Sequence, residues 1–350
     1  MQNSTIHVTS PAPREVWKSI FNADPEAVPY QHPDWFASIC ESANYEDISR
    51  LYETRDGRQF VLPLVRRRGL PTRLSFAASP PSAWGMGGLV GSPHLRYEEM
   101  QAVFDDLIHL PYLRVSIRPN PRLAALWAAT VPKGVLCIPR RAHILDLEGG
   151  FERVWQERFQ KKTRTAVRKA ERLGVVVESD TGDRLLPVFY ELLLRSFDRW
   201  SLQQNEPRFL THLRGRWRDP YQKFDLISRQ MGSACRIWVA WVNGKPAAAS
   251  LVLQYHNVND SRGAMDKEVA ATSRCNELIQ KCSIEEACRA GCRYYHLGES
   301  GNSESLAHYK ERFGAVPYEY TEYVVERFPI TSMDKIARTM VKKLIGFKDA

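Results

Sequence analysis

The sequence predicts an α/β protein of two similar halves, each a mixed, mostly antiparallel sheet flanked by helices. Two observations carry this. Asp56-Gly57 and Asn243-Gly244 are dipeptides favoured in two-residue hairpin turns, and each lies between two apolar strand patterns. They stand about 187 residues apart, and the helices that follow them are offset by about 180. The repeat is one of element order; no residue-level identity accompanies it. The break between the halves falls near 147–150.

In the first half, helical spacing marks 33–42 and 97–110, and a third helix is expected over 121–129. Strands are expected over 48–53, 59–65, 73–77, 113–117 and 135–145. In the second half, Phe151, Val154, Trp155, Phe159, Val167 and Ala170 predict one helix over 151–173, stopped by Gly174. A strand starts at Val175. Helix 183–200 turns Leu186, Phe189, Leu193 and Phe197 inward. Pro207 stands where a further helix begins, running to about 218. Strands 237–242 and 247–255 flank Asn243-Gly244, with a third near 261–265. Helix 277–290 ends at Gly291. Strand 294–297, a Gly-rich loop 298–302 and a short helix bearing Tyr309 and Lys310 follow, then a closing strand 316–325. The tail, 333–347, is a basic amphipathic helix with Ile336 and Met340 on one face. It is expected to pack back on the domain, with a membrane-surface anchor as the alternative.

The 350 residues suggest two domains, at about 150 residues each. With 43% apolar and 25% charged residues, full hydrophobic cores are expected. No apolar run reaches the length of about 18 needed for a membrane span, and 1–10 lacks a basic start and apolar stretch. The cytoplasm is the expected location. A formal charge of +9 suits an anionic partner without specifying one. Seven scattered cysteines are expected to be reduced thiols. Cys288 and Cys292 lack further ligands at metal-site spacing, so no metal is expected.

The element order, three strands, helix, strand, helix, strand after N-terminal helices, resembles the Gcn5-related N-acetyltransferase (GNAT) fold. Two copies, with Y-K-E-R-F-G (309–314) closing the second, look like the Fem-type peptidyltransferases. They look still more like the acyltransferases grouped with cellulose-biosynthesis and biotin-cluster proteins. The matching stretches are K-K-T-R-T-A-V-R-K-A-E-R-L-G-V-V-V (161–177), N-G-K-P-A-A-A-S-L-V-L-Q-Y (243–255) and 291–314. The likeness covers about 150–326 well and 30–145 poorly.

The resemblance implies tandem GNAT-like acyl-CoA N-acyltransferase repeats: a degenerate one over 1–148, an acyltransferase domain over 149–328 and the tail over 329–350. It implies N-acyl transfer from acyl-CoA to an amine of a cell-envelope, lipid or polysaccharide-related acceptor. No permanently bound cofactor and no DNA partner are expected. Work at the inner face of an anionic membrane is compatible with it. Two alternatives stand beside it: an aminoacyl-tRNA-dependent Fem-type peptidyltransferase, and a non-catalytic basic binding module.

The resemblance also implies roles for residues. Lys310 matches the lysine of the Tyr/Phe-Lys-x-x-Phe-Gly motif and would hold a donor phosphate or offset transition-state charge. Glu299, where the strand ends, is a base or amine anchor, and Asp266 could share that role. Tyr309 would protonate the leaving thiolate. The pyrophosphate turn of acetyltransferases is glycine-rich; here it reads A-T-S-R-C-N-E-L (271–278), leaving Arg274 and the helix start at Asn276 to hold phosphate. Arg164, Arg168 and Arg172 form a stripe that would bind an acceptor, and Trp84 in W-G-M-G-G would line the substrate cleft. His256, His296 and His308 are read as packing residues. Two departures bear on the donor and acceptor. The helical arm of some tRNA-using enzymes is missing, and 31–42 lacks the lysine that would hold a muropeptide phosphate.

Overall fold

A computed structural model describes residues 6–91, 95–301 and 303–347. Asn302 of the expected Gly-rich loop, and the first five residues of the chain, lie outside the described residues. The chain divides into two compact units, Met1–Ala142 with Tyr318–Ile330, and His143–Pro317 with Thr331–Ala350.

Unit 1 begins with β1 (His7–Thr9), α1 (Arg14–Ala23), α2 (Pro33–Ser42), β2 (Tyr45–Asp47), β3 (Arg50–Glu53), β4 (Gln59–Leu62), β5 (Val65–Arg67) and β6 (Phe76–Ser79). It continues with α3 (Tyr97–His109), β7 (Arg114–Ile117), α4 (Ala124–Thr130) and β8 (Leu136–Asp146), whose last residues belong to unit 2. Strands β1, β3 and β4 form one antiparallel sheet. The expected strand 48–53 starts late because Asp47 Oδ1 accepts from the Ser49 amide at 2.8 Å, turning the chain before β3. In the second sheet, β5 and β6 are antiparallel, while β6 and β7 are parallel and joined through α3. That parallel pair is zipped along its length, from Phe76/Arg114 to Ser79/Ile117.

Unit 2 begins with α5 (Gly150–Arg153), which runs into a wider turn over Val154–Arg158, then α6 (Lys161–Arg172), β9 (Val176–Asp180), α7 (Leu186–Gln204), α8 (Arg208–Arg218) and α9 (Tyr221–Met231). Next come β10 (Cys235–Val242), β11 (Lys245–Gln254), β12 (Val258–Met265), α10 (Lys267–Ser273), α11 (Cys275–Arg289), β13 (Tyr294–Glu299), α12 (Glu304–Glu311), β14 (Val316–Glu326) and α13 (Ile330–Leu344). The strands lie in the order β13-β12-β11-β10-β9. The first link, β12 to β13, is parallel; the rest are antiparallel. Antiparallel hairpin followed by a helix-linked parallel pair is thus the order in both units.

Three expectations change. The single helix 151–173 breaks at Phe159, which is fully buried edge-on to Phe313, their ring centroids 5.2 Å apart. The closing strand β14 joins unit 1 from Tyr318, running antiparallel to β7 from Tyr323/Ile117 to Glu326/Arg114. Tyr323 stacks on Trp127 there, with ring centroids 5.6 Å apart. Strand periodicity marks a buried face but not the neighbour that buries it. The tail helix α13 meets unit 2 just past its C-terminal end, where Asn205 donates to the Gly346 carbonyl at 3.1 Å, and leaves the face of Met333, Ile336 and Met340 exposed.

Candidate active site

In unit 2 the parallel pair forks. Strands β12 and β13 are in register at Val258/Tyr295 and Asn259/His296, and beyond these positions they run on unpaired with one another. The register of β12 against β11 also shifts, from Leu251/Arg262 to Val252/Asp260, leaving Ser261 as an extra residue. Such a bulge reverses the in–out alternation of a strand. Asp260 accordingly lies toward α11 and α12, hydrogen-bonded by Ser250 Oγ at 2.7 Å and beside Gln280 and Lys310. Arg262 turns to the other side, pairing with Asp219 and lying over the Trp200 ring, 5.5 Å from its centroid.

The segment Tyr309 to Gly314 is built by packing. Phe313 is fully buried against Phe159. Gly314 has φ +84°, and a Cβ there would lie 2.6 Å from Arg158 Cβ and 2.7 Å from its carbonyl oxygen. Only glycine fits. This anchoring points Lys310 inward. Its Nζ donates to the carbonyl oxygens of Gly298 at 3.0 Å and Glu299 at 2.8 Å, at the end of β13. Burial brings its pKa from 10.5 down to about 8, with Asp260 and Glu299 opposing the shift. Burial raises the Asp260 carboxyl above its ordinary value, offset by Ser250, Lys310 and Gln280. Burial also holds the Tyr309 phenol well above its usual pKa, helped by Glu277 and Asp260. The fork therefore carries a basic-shifted carboxyl, a protonated phenol and a cation of reduced basicity side by side.

At the far end of β12, Arg274 joins α10 to α11 with φ +62°, a left-handed conformation that favours glycine. The arginine thus makes, at a conformational cost, the turn for which the sequence lacks glycines. Its guanidinium is 3.8 Å from the Glu277 carboxylate, which also accepts from Arg312 at 3.2 Å. The Arg274 side chain does not cap the start of α11, and the amides of a helix N-terminus suit an anion. Asn276 contacts the Met265 sulfur at 2.9 Å at this helix start.

The structure thus brings together Lys310, Glu299 and Tyr309, and places Arg274 and Asn276 at one helix start. It does not bring in the others. Asp266 caps α10, accepting from the Glu268 and Val269 amides, and meets Arg195 at 3.4 Å. Arg164 donates to the carbonyls of Trp155, Gln156 and Phe159, closing the broken helix end. Arg168 lies over Trp155, 5.9 Å from the ring centroid, and with Thr165, Glu171 and Arg172 lines a shallow open groove of about 570 Å³. Trp84 is buried in unit 1 against Trp35. Among the described residues, no group of three His, Cys, Asp or Glu side chains could hold a metal ion.

Residues 157–311 match the model of the acetyltransferase (GNAT) domain family, which encloses the fork, the bulge and the Tyr309-Lys310 helix. Residues 157–311 are thus a GNAT-type acetyltransferase domain, in a chain with a Fem-like tandem fold. With this domain the protein is an acyltransferase. Solved structures share its fold. That of FemX has a TM-score of 0.67 at 12% identity, covering 91% of this chain and 97% of that one. A tandem GNAT protein from the clavulanic acid biosynthesis pathway has a TM-score of 0.51 at 12% identity, covering 92% and 98%. The C-terminal domain of a putative lysylphosphatidylglycerol synthetase from Agrobacterium fabrum has a TM-score of 0.50 at 12% identity, covering 95% and 96%. No curated protein sequence matches the chain.

The GNAT fork also holds a residue that sequence reasoning missed, Asp260. Its signal was a charged side chain inside a central strand, V-N-D-S-R-G-A-M, where burial demands partners.

Proposed function

We propose that this protein transfers an acyl group from acyl-CoA to an amine of a cell-envelope, lipid or polysaccharide-related acceptor, and that residues 149–328 carry the reaction. The degenerate repeat over 1–148 and the tail over 329–350 would support it, in the cytoplasm at the inner membrane face. The observation that carries this reading is the fork. Unit 1 keeps its parallel pair zipped, whereas unit 2 opens its pair beside Asp260, Lys310 and Tyr309.

The thioester lies along the open edge of β12, where unpaired backbone N–H groups near the bulge polarise its carbonyl. The phosphates of the donor meet the start of α11 and Arg274. The acceptor amine attacks the carbonyl carbon, forming the C–N bond. Asp260, as carboxylate, takes the proton from the attacking nitrogen, and its raised pKa suits this task near neutrality. The C–S bond then breaks, and Tyr309 gives its proton to the leaving thiolate. Lys310 fixes the strand end, and Glu299 anchors the amine.

Titration calorimetry with acyl-CoAs of increasing chain length tests the donor. Saturable binding supports the reading, and heat from none of them sinks it. The Fem-type alternative makes a different prediction, tRNA binding that weakens steeply with salt as counterions are released.

A further inference from the structure

We infer that helices α8 and α13 form one docking surface for an anionic lipid bilayer, a role that requires no assumption about acyl transfer. On α8, Phe209, Leu213 and Trp217 recur at i, i+4 and i+8 and are 70%, 67% and 80% exposed. On α13, Met333, Ile336 and Met340 follow at i, i+3 and i+7 and are 64%, 56% and 60% exposed. Each is the apolar stripe of an amphipathic helix left facing solvent. The helices adjoin at one point: Asn205, just before α8, donates to the Gly346 carbonyl at 3.1 Å, and the Arg214 guanidinium lies over Phe347, 5.9 Å from the ring centroid.

Charge selects the occupant. Helix α8 contains four arginines and no acidic residue, and α13 contains Lys335, Arg338, Lys342 and Lys343 against Asp334 alone. Asp198, Glu206 and Asp219 pair with Arg208, Arg214 and Arg218 from outside α8, so the surplus is greatest on α13. An apolar stripe with an exposed tryptophan, edged by cations, fits the boundary between acyl chains and anionic headgroups. Among the described residues no helix is long and apolar enough to cross a membrane, so the contact is interfacial.

Co-sedimentation tests this, using vesicles of phosphatidylcholine alone or with about one-third phosphatidylglycerol. The protein should bind the anionic vesicles, with binding falling as salt rises. The double variants Leu213→Asp/Trp217→Ala and Ile336→Asp/Met340→Asp should each cut partitioning about tenfold or more. Because these side chains are exposed, the melting temperature should hold, which separates lost binding from unfolding. Quenching by brominated lipid should be smaller for Trp217→Phe than for the natural protein. No binding to anionic vesicles, or binding kept by both double variants, overturns the inference. So does a dimer in light scattering that Leu213→Asp dissolves, because a second copy would then cover the stripe.

Discussion

Lys310 Nζ on α12 donates to the Glu299 carbonyl oxygen at the end of β13, 2.8 Å away. This bond ties the Tyr309-Lys310 helix to one arm of the fork and buries an ammonium beside Asp260. The folded pKa of Lys310 is about 8, below the ordinary 10.5. Between those values the unfolded chain holds a proton that the folded chain lacks, so this group makes stability rise with pH across that window. Below about 8 the burial cost is fully present. Thermal melts of the natural protein and Lys310→Met check this. Their difference should move in favour of the natural protein between about pH 7.5 and 9.5. A constant difference contradicts the shift.

Asp260 makes the second test. Asp260→Asn keeps the shape and the Ser250 hydrogen bond but removes the base. The turnover number should fall about 10²-fold or more with little change in donor affinity. In the natural enzyme the acid limb of the rate profile should lie above the ordinary carboxylate range, because burial raises this pKa. Steady-state kinetics across pH reads both.

Arg274 holds a left-handed conformation at the start of α11. Arg274→Gly removes a backbone strain of about 1 kcal/mol, offset in part by the greater freedom of glycine in the unfolded chain. The melting temperature should therefore not fall. Donor affinity should fall about tenfold, through loss of the cation at the phosphates. Calorimetry and thermal melts on the same sample separate the two effects.

Gly314 closes the motif by letting Arg158 approach. Gly314→Ala forces both a clash and a positive φ on a side chain, and should destabilise the protein by about 2 kcal/mol or more. Urea unfolding reads this as a lower midpoint with an unchanged slope.

Much of the fold was legible because it is written locally. Asn243-Gly244 marks its hairpin, Gly291 ends its helix, and Y-K-E-R-F-G carries a lysine, a core aromatic and a contact glycine at fixed spacing. What was not legible depends on partners distant in sequence. Arg164 looked like part of a binding stripe because its carbonyl acceptors appear only once the helix breaks at Phe159. Asp266 looked catalytic at a strand end, yet the helix that follows uses it as a cap. Asp260 was hidden because a bulge at Ser261, invisible to alternation, decides which way it faces. Tyr323 read as part of the second half, but Phe104 and Trp127 of unit 1 enclose it.

The central claim is that the donor thioester lies in the fork between β12 and β13. Amide hydrogen–deuterium exchange with and without acyl-CoA measures this most directly. The account predicts slowed exchange in 260–265, in 297–299 and at the first turn of α11, with unit 1 strands β6 and β7 unchanged. Protection confined to β6 and β7, or none in β12 and β13 at saturating acyl-CoA, would contradict it.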